Sequence, residues 1–210
     1  DNRIDTVGKP MKGVDCQIAN DGEIIVKGEL VMQGYWNNLE ATGEAIKDGW
    51  LHTGDIGEFD GDGYLKITDR KKDIIVNSGG DNISPQRIEG MLTTQPEIGQ
   101  AMVYGDRRPH LTALIIPDAE YATAWAKEHG HPNANLEFVV EQPDFKKVIV
   151  EAVDRVSKNL SVIEKVRRFT LSHEAFTIDN EMLTPTLKIR RHIIREKFCE
   201  KLEALYGSQT

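Results

Sequence analysis

Cysteine is nearly absent from this 210-residue chain, occurring only as Cys16 and Cys199 with no motif spacing. That excludes a disulfide framework and fits a reducing compartment. Long apolar runs are missing too, and none approaches the roughly 18 residues that a membrane-spanning helix needs. Positive charge is in the minority. Lys and Arg number 26 against 34 Asp and Glu, a net charge of −8 that argues against a general nucleic-acid binder. The basic pairs Arg107-Arg108, Arg167-Arg168 and Arg190-Arg191 read as solvated surface charge. His129-Gly130-His131, followed by Pro132, has no acidic or cysteine partner at ligand spacing, so it reads as a loop after a helix and no metal site is assigned. Internal repeats and low-complexity tracts are lacking. No signal-peptide pattern opens the chain. Asp1-Asn2-Arg3-Ile4 runs straight into folded-looking sequence, which leads us to expect the C-terminal part of a longer protein. What is present, 39% hydrophobic and 29% charged residues, suits a soluble globular protein of one large or two small domains.

Residues 4–36 are rich in short strand signals. Val14-Asp15-Cys16-Gln17-Ile18 alternates, Asn20-Asp21-Gly22 is a turn, and Glu23 to Gly28 returns. Tyr35 and Trp36, read as core aromatics, lead into a short helical stretch from Leu39 to Ala45. This pattern predicts an antiparallel β subdomain. Thr53-Gly54-Asp55 would present a carboxylate on a tight turn. A carboxylate accepts from two vicinal hydroxyls, which is one way to hold a ribose; the alternative is a turn with a solvated Asp. Asp60-Gly61-Asp62-Gly63 closes a hairpin into the next strand.

The organising stretch is Gly63 to Glu89. It holds two strand-like segments, Tyr64 to Ile67 and Ile74 to Val76. Between them lie five consecutive charges, Asp69-Arg70-Lys71-Lys72-Asp73, where strand pairing is expected to lapse. Asn77-Ser78-Gly79-Gly80 is a permissive turn, and Ser84-Pro85 is an N-cap with a first-turn proline. Beyond Lys72 the pattern becomes mixed. It predicts a helix from Ser84 to about Thr94 and strands at Ala101 to Gly105 and Leu111 to Ile116. Asp118 caps a helix carrying Trp125, and an amphipathic helix runs from Phe145 to Leu160. A strand at Val166 to Leu171 precedes one final helix bearing Ile189, Ile193, Ile194, Phe198 and Leu202. The tail, Gly207 to Thr210, is expected to fray. The fold class is therefore α+β: an antiparallel β subdomain over 1–71, then a small mixed α/β domain over 72–210.

The Gly63–Glu89 stretch resembles the hinge motif of the adenylate-forming enzymes, which include acyl-CoA synthetases, luciferases and peptide-synthetase adenylation domains. The resemblance implies that residues 1–71 end a large N-terminal domain and that 72–210 form a small mobile one. It implies nucleotide-binding roles for Asp55 and Arg70, both on the ATP ribose, and a hinge at Lys72. It places Ser78, Gly79 and Gly80 on the CoA pantetheine tunnel. Met182 to Arg191 is similar to the family's C-terminal lysine motif, which makes Lys188 the catalytic lysine. Many members have Ser-Gly before that lysine, where this chain has Thr186-Leu187. The form Leu-Thr-Pro-Thr-Leu-Lys looks like the long-chain fatty acyl-CoA synthetase branch.

The implied activity is ATP-dependent, AMP-forming fatty acid–CoA ligation. ATP and CoA are then required, and fatty acid is the acyl substrate. Mg²⁺ and the β,γ-phosphate contacts are expected in the missing N-terminal domain, because no Ser/Thr/Gly-rich phosphate loop of the family type occurs here. The chain alone should have no synthetase activity. Two other readings stay open, an acyl-AMP ligase that loads a carrier protein and a non-catalytic nucleotide-binding module. The implied location is cytoplasmic, with peripheral membrane contact compatible with long-chain substrates.

Overall fold

The structure, a computed structural model, describes residues 3–207. Ser208 to Thr210, most of the tail expected to fray, lie outside the described residues. The chain divides into two compact units, Asp1–Ile74 and Ile75–Thr210. The second domain was expected to begin at Lys72, three residues before the second unit begins at Ile75.

The first unit is an antiparallel sheet. β1 (Val14–Ile18) pairs with β2 (Glu23–Gly28) across the Asn20-Asp21-Gly22 turn. A short helix α1 (Leu39–Ala45), capped by the Asn38 side chain on the Ala41 amide, leads to β3 (Ile46–Lys47). The ten-residue strand β4 (Trp50–Phe59) is the hub. It pairs with β2, with β3 and with β5 (Leu65–Arg70). Ile24 is the one fully buried apolar side chain of this unit among the described residues, and the charged Glu23 and Asp69 are buried beside it in the sheet.

Two expectations change here. Strand pairing does not lapse at the start of the charged run; β5 carries Asp69 and Arg70 in register with β4. The lapse comes at Lys71–Asp73, a single 3-10 turn. Charges are tolerated within the strand because each has a partner: Asp69 accepts from the Arg70 amide at 2.6 Å, and Arg70 faces a carboxylate across the ladder. Tyr35 and Trp36 are not core. They are 52% and 92% exposed, on a loop whose Tyr35 amide is held by the Thr42 hydroxyl at 2.9 Å.

The second unit is built on a three-stranded sheet. A two-stranded ribbon, β6 (Ile75–Val76) with β7 (Asn82–Ile83), opens it. Helix α2 (Pro85–Thr93) follows, with the Ser84 hydroxyl accepting from the Arg87 amide. β8 (Ile98–Tyr104) and β9 (Leu111–Pro117) form a hairpin. The Asp118 carboxylate caps α3 (Ala119–Glu128) on the Tyr121 amide. α4 (Leu136–Glu141), which its short apolar run did not reveal, precedes α5 (Pro143–Ser157). β10 (Val166–Leu171) returns parallel to β9, giving the order β10-β9-β8.

The sheet is covered on both faces, and strand alternation sorts the side chains. Ala101, Val103, Ala113 and Ile115 face a core shared with Leu92, Trp125, Phe145 and Ile149. Met102, Tyr104, Leu114 and Ile116 face a second core with Phe176, Met182, Ile194, Phe198 and Leu202. The final helix is two helices, α6 (Arg191–Lys197) and α7 (Cys199–Ala204). Phe198, at φ −104° and ψ 16°, breaks the run. Bending there lets Ile194, Phe198 and Leu202 all reach one core. Ile189 precedes the helix; it bridges to Leu183 and, partly buried, packs against the same core from outside the helix.

Candidate active-site residues

In the first unit, Asp55 and Arg70 stand directly opposite each other on β4 and β5. Arg70 Nε donates to Asp55 Oδ1 at 2.9 Å. Cross-strand neighbours on one face meet in this way, so the pairing follows from register. Asp55 is partly buried while Arg70 is half exposed, leaving a guanidinium edge and the second carboxylate oxygen for another group.

Thr53-Gly54-Asp55, expected as a tight turn, lies instead inside β4, where a bulge interrupts the ladder. Register between β2 and β4 slips between Glu23 and Ile25, and Gly54 takes φ 72°, which favours glycine. The Thr53 hydroxyl donates to Ile24 O at 2.7 Å and accepts from the Asp55 amide at 3.1 Å. Beneath the bulge lies a residue that sequence reasoning missed. The Glu23 side chain is 4% exposed, and its carboxylate accepts from the Gly54 amide at 2.9 Å, His52 Nδ1 at 2.7 Å and Lys71 Nζ at 2.9 Å. Burial pushes this carboxyl up, but hydrogen bonds from His52, Lys71 and Gly54 outweigh it and hold it below its ordinary value. Lys71 also pairs with Asp21 at 2.6 Å, and the two carboxylates raise its pKa. The residue just before Lys72 is thus fastened to the β sheet, whereas Lys72 is exposed with no ion-pair partner among the described residues. The signal for Glu23 was faint, an acid directly preceding an apolar strand, and Lys71 was hidden inside the charged run.

In the second unit, Ser78, Gly79 and Gly80 are exposed on the β6–β7 connection. The Asn77 carboxamide oxygen accepts from the amides of Gly79 and Asp81, both at 2.9 Å, and Gly80 takes φ 87°. The Ser78 amide donates to Arg108 O at 3.0 Å, tying the loop to the β8–β9 connection.

Lys188 lies at the tip of a closed hairpin. The Thr184 amide donates to Lys188 O at 2.8 Å, the Lys188 amide to the Thr184 hydroxyl at 3.0 Å, and the Arg190 amide to Met182 O at 2.8 Å. Pro185, Thr186, Leu187 and Lys188 are exposed, and Leu187 adopts φ 59°. The foot of the hairpin is anchored by Met182, fully buried, and by Arg191, whose guanidinium grips the Glu89 carboxylate.

Asp55 with Arg70 can take a diol, and Lys188 can offer a single mobile cation. No group of three or more His, Cys, Asp or Glu side chains that could hold a metal occurs among the described residues. No helix among them is long and apolar enough to cross a membrane.

Comparison with known proteins fixes the class to which these features belong. Residues 72–210 match the model of the AMP-binding enzyme C-terminal domain, and the chain belongs to that family. Long-chain-fatty-acid–CoA ligase FadD15 of Mycobacterium tuberculosis is 42% identical over 210 residues, all of this chain and 35% of that protein. Human long-chain-fatty-acid–CoA ligase 1 is 39% identical over 217 residues, covering 96% of this chain and 31% of that protein. The chain thus spans about a third of the length of the curated relatives it matches. The adenylation domain of a carboxylate reductase from Mycobacterium chelonae superposes with a TM-score of 0.78 at 25% identity, over 95% of this chain and 32% of that one. The α+β architecture, with its antiparallel subdomain and mixed second unit, is that of the adenylate-forming superfamily.

Proposed function

We propose that this chain is part of an ATP-dependent, AMP-forming long-chain fatty acid–CoA ligase. The observation that carries the reading is the Asp55–Arg70 pair, set at 2.9 Å on paired strands in a chain alike over its whole length to long-chain ligases. In this reading residues 1–71 end the larger nucleotide-binding domain and 72–210 are the small mobile domain, with the pivot at Lys72. The Asp55 carboxylate accepts from the ribose hydroxyls of ATP, and Arg70 donates to the ribose while orienting that carboxylate.

In the first half-reaction a fatty-acid carboxylate oxygen attacks the α-phosphorus. The bond from that phosphorus to the bridging oxygen breaks, and pyrophosphate leaves with the electron pair. Lys188 offsets the charge that develops on the α-phosphate oxygens. In the second, the CoA sulfur attacks the acyl carbon, its proton goes to solvent or base, and AMP departs. The exposed Ser78-Gly79-Gly80 backbone borders the pantetheine path in that step. The two constellations are used in turn, which is why a pivot is needed. Mg²⁺ and the terminal phosphates are held outside these residues. The protein works where fatty acid is supplied, in the cytoplasm with peripheral membrane contact.

The test is made on the full-length protein. Pyrophosphate release that requires fatty acid and ATP, with acyl-CoA as the product, supports the reading. Acyl transfer only to a carrier protein would replace it with a loading ligase, and failure to bind AMP would leave a non-catalytic module. Asp55→Ala should raise the ATP KM at least about tenfold, the cost of losing a charged hydrogen-bond acceptor; an unchanged ATP KM contradicts the assigned role.

A further inference from the structure

We infer that the Glu89–Arg191 ion pair is a positioning device for Lys188, required for acyl-AMP formation and largely dispensable for thioester formation. The inference rests on the role proposed for Lys188. Glu89 lies in α2 and is 6% exposed. Its two oxygens accept from the two terminal nitrogens of Arg191 at 2.5 and 2.6 Å, and Oε1 also accepts from the Val103 amide of β8 at 2.7 Å. One carboxylate therefore joins a helix, the sheet and the first residue of α6. Arg191 stands three residues after Lys188.

The hairpin that carries Lys188 has its tip in solvent and its polar bonds within itself, from Thr184 to Lys188. Nothing at the tip can set its direction, so the foot must. On one side the foot is the buried Met182 side chain, with the Leu183 amide donating to Thr177 O at 2.9 Å and holding the backbone there but making no link to α2 or the sheet. On the other it is Arg191. A bidentate guanidinium–carboxylate fork fixes an angle as well as a distance. Buried ion pairs are poor sources of stability compared with apolar contacts of similar size. A pair with its carboxylate buried and its guanidinium partly so is better explained at this position by orientation. The long side chain of Lys188 amplifies any rotation of the foot, and misplacement of a catalytic group by about 1 Å can cost roughly a hundredfold in rate.

The experiment uses the full-length enzyme and four proteins: unaltered, Arg191→Lys, Lys188→Ala and the double variant. Acyl-AMP formation and conversion of supplied acyl-AMP to acyl-CoA are measured separately. Arg191→Lys keeps the charge and loses the fork. It should slow acyl-AMP formation about ten- to a hundredfold and the second half-reaction less than about threefold. In the double variant acyl-AMP formation should be no slower than in Lys188→Ala alone, because Arg191 acts through Lys188. If Arg191→Lys does not yield folded protein, Glu89→Gln, which retains an acceptor for the Val103 amide, is carried through the same cycle. Equal losses in both half-reactions, additive losses in the double variant, or no loss at all would overturn the inference. Lys188→Ala separates this from the underlying assignment: if it leaves acyl-AMP formation intact, the role proposed for Lys188 itself fails.

Discussion

Glu23→Gln is the most informative single change in the first unit. The substitution keeps the shape and one carbonyl acceptor, which can still serve the Gly54 amide. It removes the charge that His52 and Lys71 share and turns an amide NH₂ toward one of them. Charge-assisted hydrogen bonds are worth about 1.5–3 kcal/mol each. Both losses must be discounted. Lys71 is 45% exposed and keeps Asp21 at 2.6 Å, and His52 is 26% exposed and can turn to water. Relief of the carboxylate's desolvation offsets part of the remainder. A net cost of about 1–2 kcal/mol follows, equivalent to a roughly five- to thirtyfold change in a local opening equilibrium.

Amide hydrogen exchange over β4 reads that opening directly. Exchange at Gly54 and Asp55 should speed up by that factor, while α5 in the other unit should be unchanged. The ATP KM of the full-length enzyme should rise with it. The pH dependence has a definite sign. Because folding lowers the Glu23 pKa below the ordinary 4.5, its contribution is fully present above that value. It disappears as pH falls through the folded-state value, so the difference between the parent and Glu23→Gln should close on acidification. Unchanged exchange at Gly54 above pH 5, or a difference that grows toward acid, would refute the argument.

Further outcomes follow from the hinge and the lysine hairpin. Leu187 is 68% exposed, so replacing it loses little burial, and its φ of 59° is costly for a side chain branched at Cβ. Leu187→Gly should therefore be more stable than Leu187→Ile by about 1–2 kcal/mol in denaturant unfolding, and the reverse order would contradict the backbone assignment. Lys72→Pro, in the 3-10 turn that begins at the fastened Lys71, stiffens the proposed pivot. It should spare acyl-AMP formation and slow thioester formation at least about tenfold; unchanged rates in both would place the pivot elsewhere.

β1, β2 and the start of β5 were legible because one face alternates and turns carry Gly and Asp, as at Asn20-Asp21-Gly22; the hub strand β4 was not, because its Thr53-Gly54-Asp55 bulge reads as a turn. The caps at Ser84 and Asp118 were legible because short polar side chains announce themselves before apolar periodicity. Periodicity is blind to a single residue outside the helical range, so Phe198 concealed a break that keeps the apolar stripe in phase. Exposure of Tyr35 and Trp36 was not legible, since an aromatic ring signals burial only when something covers it. The Asp60–Gly63 turn alone would set Asp69 opposite Asp55; a bulge between Ile56 and Gly57 brings Arg70 there instead, and a one-residue shift of that kind leaves no mark in the sequence pattern. The partners of Glu23 and Glu89 could not be read. They join residues 29, 48 and 102 positions apart, and no local pattern encodes such a separation.

The most direct measurement compares the two half-reactions in full-length Lys188→Ala. Acyl-AMP formation from fatty acid and ATP should fall by at least about a hundredfold, as expected for losing a charge that stabilises the transition state. Conversion of supplied acyl-AMP and CoA to acyl-CoA should stay within about threefold of the parent, because Lys188 takes no part in that step. Equal loss in both, or an unaffected first half-reaction, would contradict the assignment of Lys188 to adenylation.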